Sequence, residues 1–219
     1  MKIAYLFIGL LACALGIGIS QFMMPGPESE LTRVGASTGV ADTNSVGANS
    51  PVVIPHKIGG DFTLMQGEQP VALSDFSDKL IVMYFGFTSC PDVCPTTLVF
   101  IASALKELAP EELAQIQPVF VSVDPERDQG EQLMDYATYF HPDFIGITGT
   151  PDEVQKAANQ YGAFFIKTDT ESAMGYMVEH TSETYLVRDG GEQVTALPHE
   201  MTKQSLLDAI RLELKRLKP

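Results

Sequence analysis

Leu80-Ile81-Val82-Met83-Tyr84-Phe85-Gly86-Phe87, followed at once by Thr88-Ser89-Cys90-Pro91-Asp92-Val93-Cys94-Pro95, decides how this chain folds. The first eight residues are an apolar, β-rich run, the pattern of a central strand buried on both faces. From Thr96 to Leu108, apolar residues recur at Leu98, Ile101, Ala102, Leu105 and Leu108, a helical period. The two cysteines therefore lie at a strand-to-helix turn or in the first turn of the helix. Spaced four apart, they share one helix face, with side-chain origins about 5–6 Å apart. That separation suits a disulfide, whose Cα atoms stand about 4.4–6.8 Å apart, and equally suits gripping one metal ion. A helix N-terminus favours negative charge and lowers thiol pKa, so the sulfurs are available as thiolates. The plainer alternative is a structural bridge or two inert core thiols, although a bridge rarely closes so short a loop at the tip of a core strand.

Working outward toward the N-terminus, residues 25–57 are Gly, Ser, Thr, Asn, Ala and Pro with scattered charge. Such a composition buries too little surface to order itself and predicts a flexible linker. His56 at its end reads as a solvated residue. Residues 1–24 are almost wholly apolar after Lys2, long enough for a membrane anchor. Lys2 precedes the run while Glu28 and Glu30 follow it, which predicts a cytoplasmic N-terminus and an extracytoplasmic domain, on the periplasmic side of a bacterial inner membrane. Two rival readings are a cleaved signal peptide, for which no A-x-A-like site ends the run, and a lipoprotein processed at Cys13 in Leu10-Leu11-Ala12-Cys13. Within an anchor, Cys13 is a small apolar residue.

Residues 58–219 then form one domain of ordinary size. The formal charge of −14 disfavours nucleic acid and anionic lipid as partners. Apart from Cys13, the cysteines are one pair, compatible with an oxidising compartment. Phe62–Met65 and Val71–Leu73 flank a turn at Gly67 and predict a short hairpin. Val119–Val123 predicts a second core strand, Phe144–Ile147 a further apolar run and Ala163–Ile166 another strand. Helices are expected over Glu131–Phe140 and over Asp152–Tyr161, the latter opened by Thr150-Pro151. Glu183–Val187 and Gln193–Ala196 bracket Asp189-Gly190-Gly191 as a hairpin. Leu206, Leu207, Ile210, Leu214 and Leu217 mark a closing amphipathic helix. This order gives an α/β fold, a central mixed sheet flanked by helices. With the thiol pair at the end of the first central strand, the layout is thioredoxin-like.

Two features depart from an ordinary thioredoxin. The spacing is Cys-x3-Cys, and no proline precedes the strand at Glu183, where a thioredoxin carries one facing its disulfide. Val178-Glu179-His180-Thr181-Ser182 stands there instead, read as a loop at the same end of the sheet as the Cys turn. Two thiolates and an imidazole make a soft three-donor site. Thiolates select Cu(I), and imidazole suits copper in either oxidation state.

Four stretches carry a family resemblance: Gly59-Gly60-Asp61-Phe62-Thr63-Leu64; Tyr84 through Pro95; Val121-Ser122-Val123-Asp124-Pro125-Glu126-Arg127-Asp128; and His180-Thr181-Ser182 before Tyr185-Leu186. Over roughly residues 58–217, with the single N-terminal anchor, the chain resembles the Sco (SenC) family of membrane-tethered copper proteins serving cytochrome c oxidase assembly. The resemblance implies that Cys90, Cys94 and His180 are copper ligands and that Asp124 lies near the site, as an orienting group or a fourth ligand for Cu(II). The plainer role for Asp124 is capping the turn after its strand, and Arg127 with Asp128 reads as a local ion pair. Glu179 stands where a shorter acid is common, and Asp61 where proline is expected.

The implied function is a metallochaperone that binds Cu(I)/Cu(II) and delivers it to the dinuclear copper site of cytochrome c oxidase subunit II. Its further partners would be an upstream copper donor or a thiol reductant. The alternative is a thiol–disulfide oxidoreductase, with Cys90 and Cys94 as redox-active thiols, that keeps the acceptor cysteines reduced. A peroxidase is disfavoured: Cys94-Pro95-Thr96 echoes a peroxiredoxin string, but the upstream Pro-x-x-x-Thr is absent.

Overall fold

The computed structural model describes residues 58–171 and 175–217. The expected anchor over 1–24, its Cys13 and the linker over 25–57 lie outside the described residues. Among the described residues, no helix is long and apolar enough to cross a membrane.

The strand β3 (Leu80–Gly86) is buried along its whole length, as its unbroken apolar sequence requires. It pairs in parallel with β4 (Ile116–Ser122) and antiparallel with β8 (Thr184–Arg188). A third parallel strand, β5 (Ile145–Ile147), joins β4, and β9 (Glu192–Leu197) closes the other edge. The mixed sheet runs β5-β4-β3-β8-β9, the thioredoxin-like arrangement expected from the element order. The hairpin at Gly67 forms as β1 (Thr63–Gln66) and β2 (Gln69–Ala72).

The Cys helix, α1 (Val93–Leu105), begins three residues earlier than its hydrophobic period suggests, so Cys94 sits in its first turn. It packs against the closing helix α5 (Lys203–Leu217). A single turn, α2 (Pro110–Leu113), follows α1, and α3 (Gly130–Phe140) packs on β5. The fourth helix, α4 (Pro151–Gln160), opens with a reciprocal cap: Thr150 Oγ1 accepts from Glu153 N, and the Glu153 carboxylate accepts from Thr150 N at 2.8 Å.

One expectation is corrected. Val178–Ser182 is not a loop throughout: β7 (Tyr176–His180) is a strand with His180 as its last residue. The apolar run at Ala163–Ile166 supplies only the start of its partner, β6 (Phe165–Asp169). These two form a separate antiparallel ribbon outside the main sheet, with Phe165 opposite His180. Because β8 begins beside Tyr84, the chain leaving His180 reaches the sheet at the Cys end of β3.

The opposite end of the sheet holds the first described residues. Gly59 N donates to Gln160 O at 2.7 Å and Gly60 N to Gly191 O at 2.8 Å. The Tyr161 hydroxyl lies 2.9 Å from Gly60 O and 2.8 Å from Gly191 O. A Cβ on Gly191 would stand 2.3 Å from the Gly60 carbonyl carbon, so only glycine admits this approach. Asp61, where the family resemblance led to proline, uses its carboxylate to accept from Ser74 N at 3.1 Å.

Candidate metal centre

Three elements converge at the C-terminal end of β3. The turn after β3 carries Cys90, the first turn of α1 carries Cys94, and the end of the ribbon carries His180. Cys90 and His180 are half-buried and Cys94 is fully buried. Both cysteines are free thiols. Cys94 Sγ lies 3.2 Å from His180 Nε2, and the Cys94 backbone N–H points at Cys90 Sγ over 3.4 Å. Tight packing sets these positions: a Cβ on Gly86 would meet Cys94 Sγ at 3.0 Å and the Phe120 ring at 2.9 Å.

The imidazole is held from behind. His180 Nδ1 lies 2.8 Å from Thr181 O, an acceptor only, so Nδ1 carries the hydrogen and Nε2 presents its lone pair to the sulfurs. The rings of Tyr84 and Phe87 meet the imidazole edge-on, with centroids at 6.1 and 5.7 Å.

The thiols are unequal. The Cys94 side chain beside it, helped by His180 and by backbone N–H groups, pulls the Cys90 thiol down to about 3 against the opposing effect of burial. The hydrogen bond it gives to Cys90, its burial and the charge gathered on Cys90 push the Cys94 thiol up. The pair therefore shares one readily formed thiolate, on the more accessible sulfur.

The ligand atoms of Cys90, Cys94 and His180 all lie within 4.8 Å of one another. Metal–thiolate bonds of about 2.3 Å place two donors of one ion at most about 4.6 Å apart. The three groups therefore fit one soft ion with only a slight contraction. The donor set, two sulfurs and one nitrogen, suits copper.

Asp124 is engaged by other partners. Its side chain is wholly buried and ion-paired with Arg127 Nε, while Oδ1 accepts from the Tyr176 hydroxyl at 2.6 Å and lies 3.5 Å from Lys167 Nζ. It is not in the thiol–imidazole group. The local Arg127–Asp128 pair expected from sequence is replaced: Asp128 accepts from Thr88 N, Thr88 Oγ1 and Ser122 Oγ, at 2.8, 2.5 and 2.6 Å. Asp128 thereby fixes the turn two residues before Cys90, a role that sequence adjacency to Arg127 concealed. Thr97 was likewise passed over. It is buried on α1, three residues after Cys94, with Oγ1 donating to Val93 O at 2.9 Å and lying 2.8 Å from His199 Nδ1.

The SCO1/SenC family model matches residues 54–215, nearly the whole domain and all three donors. The chain belongs to the SCO1/SenC family. Among curated relatives, the mitochondrial SCO1 homolog 1 of Arabidopsis thaliana is 35% identical over 160 residues, 73% of this chain and 48% of that protein. A SCO2-like protein of Rickettsia conorii is 33% identical over 72% of this chain and 77% of its own length. The chain thus spans only about half of the plant relative. The crystal structure of Arabidopsis thaliana ScoI with copper bound superposes with a TM-score of 0.67 at 35% identity, covering 73% of this chain and 99% of that one. Yeast Sco1 with copper bound gives 0.65 at 32% identity, covering 73% and 89%. SCO1/SenC membership and the Cys–Cys–His cluster together support copper as the bound metal.

Proposed function

We propose that this protein is a copper metallochaperone for cytochrome c oxidase assembly, with Cys90, Cys94 and His180 as the ligands. The observation that carries this reading is the convergence of two sulfurs and an imidazole Nε2 whose opposite nitrogen is already tied to Thr181 O. A copper-bound family fold at 35% identity supports it. Two half-buried donors leave the site open on one side, so an incoming ligand can displace them in turn, which suits a carrier better than a store. The proposed acceptor is the dinuclear copper site of subunit II. In the same proposal, residues 1–24 anchor the chain in the membrane and place the domain on the extracytoplasmic side.

Copper loading and thiol chemistry are coupled here. Both thiols must give up protons to bind metal, and two-electron oxidation to a disulfide removes both donors. Anaerobic titration should give one Cu(I) per reduced protein and none per disulfide form. Equal stoichiometry in the two forms would sink the paired-thiolate site.

One observation favours a second reading, a thiol–disulfide oxidoreductase. Cys90 is half-buried and its thiol is held down to about 3. Its thiolate can attack an acceptor disulfide to form a mixed disulfide. Cys94 then displaces the acceptor's sulfur, leaving Cys90–Cys94 oxidised and the acceptor reduced. His180→Ala separates the two: a chaperone loses much of its copper affinity, whereas a reductase keeps most of its turnover.

A further inference from the structure

His180 closes a ribbon that hydrogen-bonds into no strand of the main sheet. Something other than strand pairing must therefore fix its height above the Cys turn. Val178 buries itself in the core, and the polar contacts between ribbon and body centre on Arg127, in the loop after β4. Its guanidinium lies 3.9 Å from the centre of the Tyr176 ring, at the start of β7, and Nη1 donates to Tyr176 O at 3.2 Å. Its Nε donates to Asp124, which is wholly buried and also accepts from the Tyr176 hydroxyl at 2.6 Å. Lys167 of β6 adds a second tie, 2.9 Å from Glu126 and 3.5 Å from Asp124. The guanidinium also lies 5.8 Å from the Phe87 ring, and Phe87 in turn meets the His180 imidazole edge-on at 5.7 Å.

Tyr176, Arg127, Phe87 and His180 thus form a continuous chain of contacts from the turn end of the ribbon to its ligand. We propose that Arg127 is a positioning residue for the metal centre: it clamps the ribbon through Tyr176 and braces Phe87, and so holds His180 Nε2 in reach of Cys94 Sγ. Asp124 contributes by orienting the guanidinium, which accounts for a buried carboxylate near the site without making it a ligand. An arginine is needed because a planar fork can stack on a ring, donate to a carbonyl and pair with a carboxylate at once; lysine cannot do all three.

The inference rests on Cys90, Cys94 and His180 holding copper, and the test separates the two ideas. Cu(I) affinity is measured by chelator competition on the full chain for wild type, Arg127→Met, His180→Ala and the double variant. Groups that orient a ligand typically contribute about 10–100-fold to metal affinity, so R127M should weaken binding by about tenfold. In the H180A background the same change should have almost no effect, because no imidazole remains to be placed. Amide exchange across residues 176–181 of the metal-free protein should rise in R127M, and the sulfur-to-copper band of the Cu(II) form should shift. Tyr176→Leu removes the ribbon half of the clamp while leaving the Arg127–Asp124 pair intact, and should reproduce both effects if R127M fails to fold. Equal losses from R127M in the presence and absence of His180 would overturn the clamp. A wild-type protein that binds no Cu(I) would instead overturn the ligand assignment.

Discussion

Replacing Asp128 by alanine should cost the domain its hold on the Cys turn. The carboxylate is wholly buried and accepts three hydrogen bonds, two from Thr88 and one from Ser122. Hydrogen bonds to a charged group contribute about 1.5–3 kcal/mol each. Taking the low end for three, and allowing for the relief of no longer burying a carboxylate, gives a net loss of about 3–4 kcal/mol. For a domain of this size, each kcal/mol moves the midpoint by about 2–4 °C. The melting temperature of metal-free D128A, followed by circular dichroism, should therefore fall by roughly 6–16 °C. Asp128→Asn keeps one oxygen for both the Thr88 N–H and the Ser122 hydroxyl and turns its amide toward Thr88 Oγ1, so it should lose less than half as much. Copper binding should weaken in both, in the same order, because Thr88 lies two residues before Cys90. A fall below about 3 °C in D128A would refute the idea that this carboxylate anchors the turn.

Three further outcomes are expected. Gly86→Ala places a methyl group 2.9–3.0 Å from Phe120, Tyr84 and Cys94 Sγ; overpacking should destabilise the fold by about 1–3 kcal/mol and weaken Cu(I) binding, both absent if the sulfur has slack. The thiolate is the reactive form, so with Cys90 held down to about 3 its alkylation rate should stay flat from alkaline into weakly acidic pH and fall only toward that value. His180→Ala removes one of the groups that hold the thiol down and should move that fall to higher pH; a wild-type profile rising toward about pH 8.5, as for a free thiol, would contradict the assigned thiolate. A reporter fused after Pro219 should be active only outside the cytoplasm, with the protein in the membrane fraction; release of a soluble mature form would favour cleavage over an anchor.

The main sheet and the Cys turn were legible because their sequences are unambiguous: β3 has no polar interruption, and a helical period begins beside the second cysteine. His180 was placed at the correct end of the sheet by topology alone. The ribbon that carries it was only half legible. Beyond Ile166, β6 continues through Lys167, Thr168 and Asp169, which are exposed and show no apolar alternation to mark a strand. Asp128 was misread for another reason. Its sequence neighbour Arg127 offered an obvious charge partner, but the chain turns after β4 and sends the two side chains to different places, one to Thr88 and Ser122 and the other to Asp124 and Tyr176.

The glycine contact between Gly60 and Gly191 has a consequence for aim. It secures the start of the domain beside the β8–β9 turn, whereas the sulfurs lie past the far end of β3. Seven extended residues separate the two ends, about 23 Å of strand. Any load carried by the backbone at Gly59 would enter at one pole of the domain, while the donors occupy the other. A tug transmitted through the backbone meets Tyr161 and the paired glycine carbonyls first, and the ligand cluster lies outside its line of force.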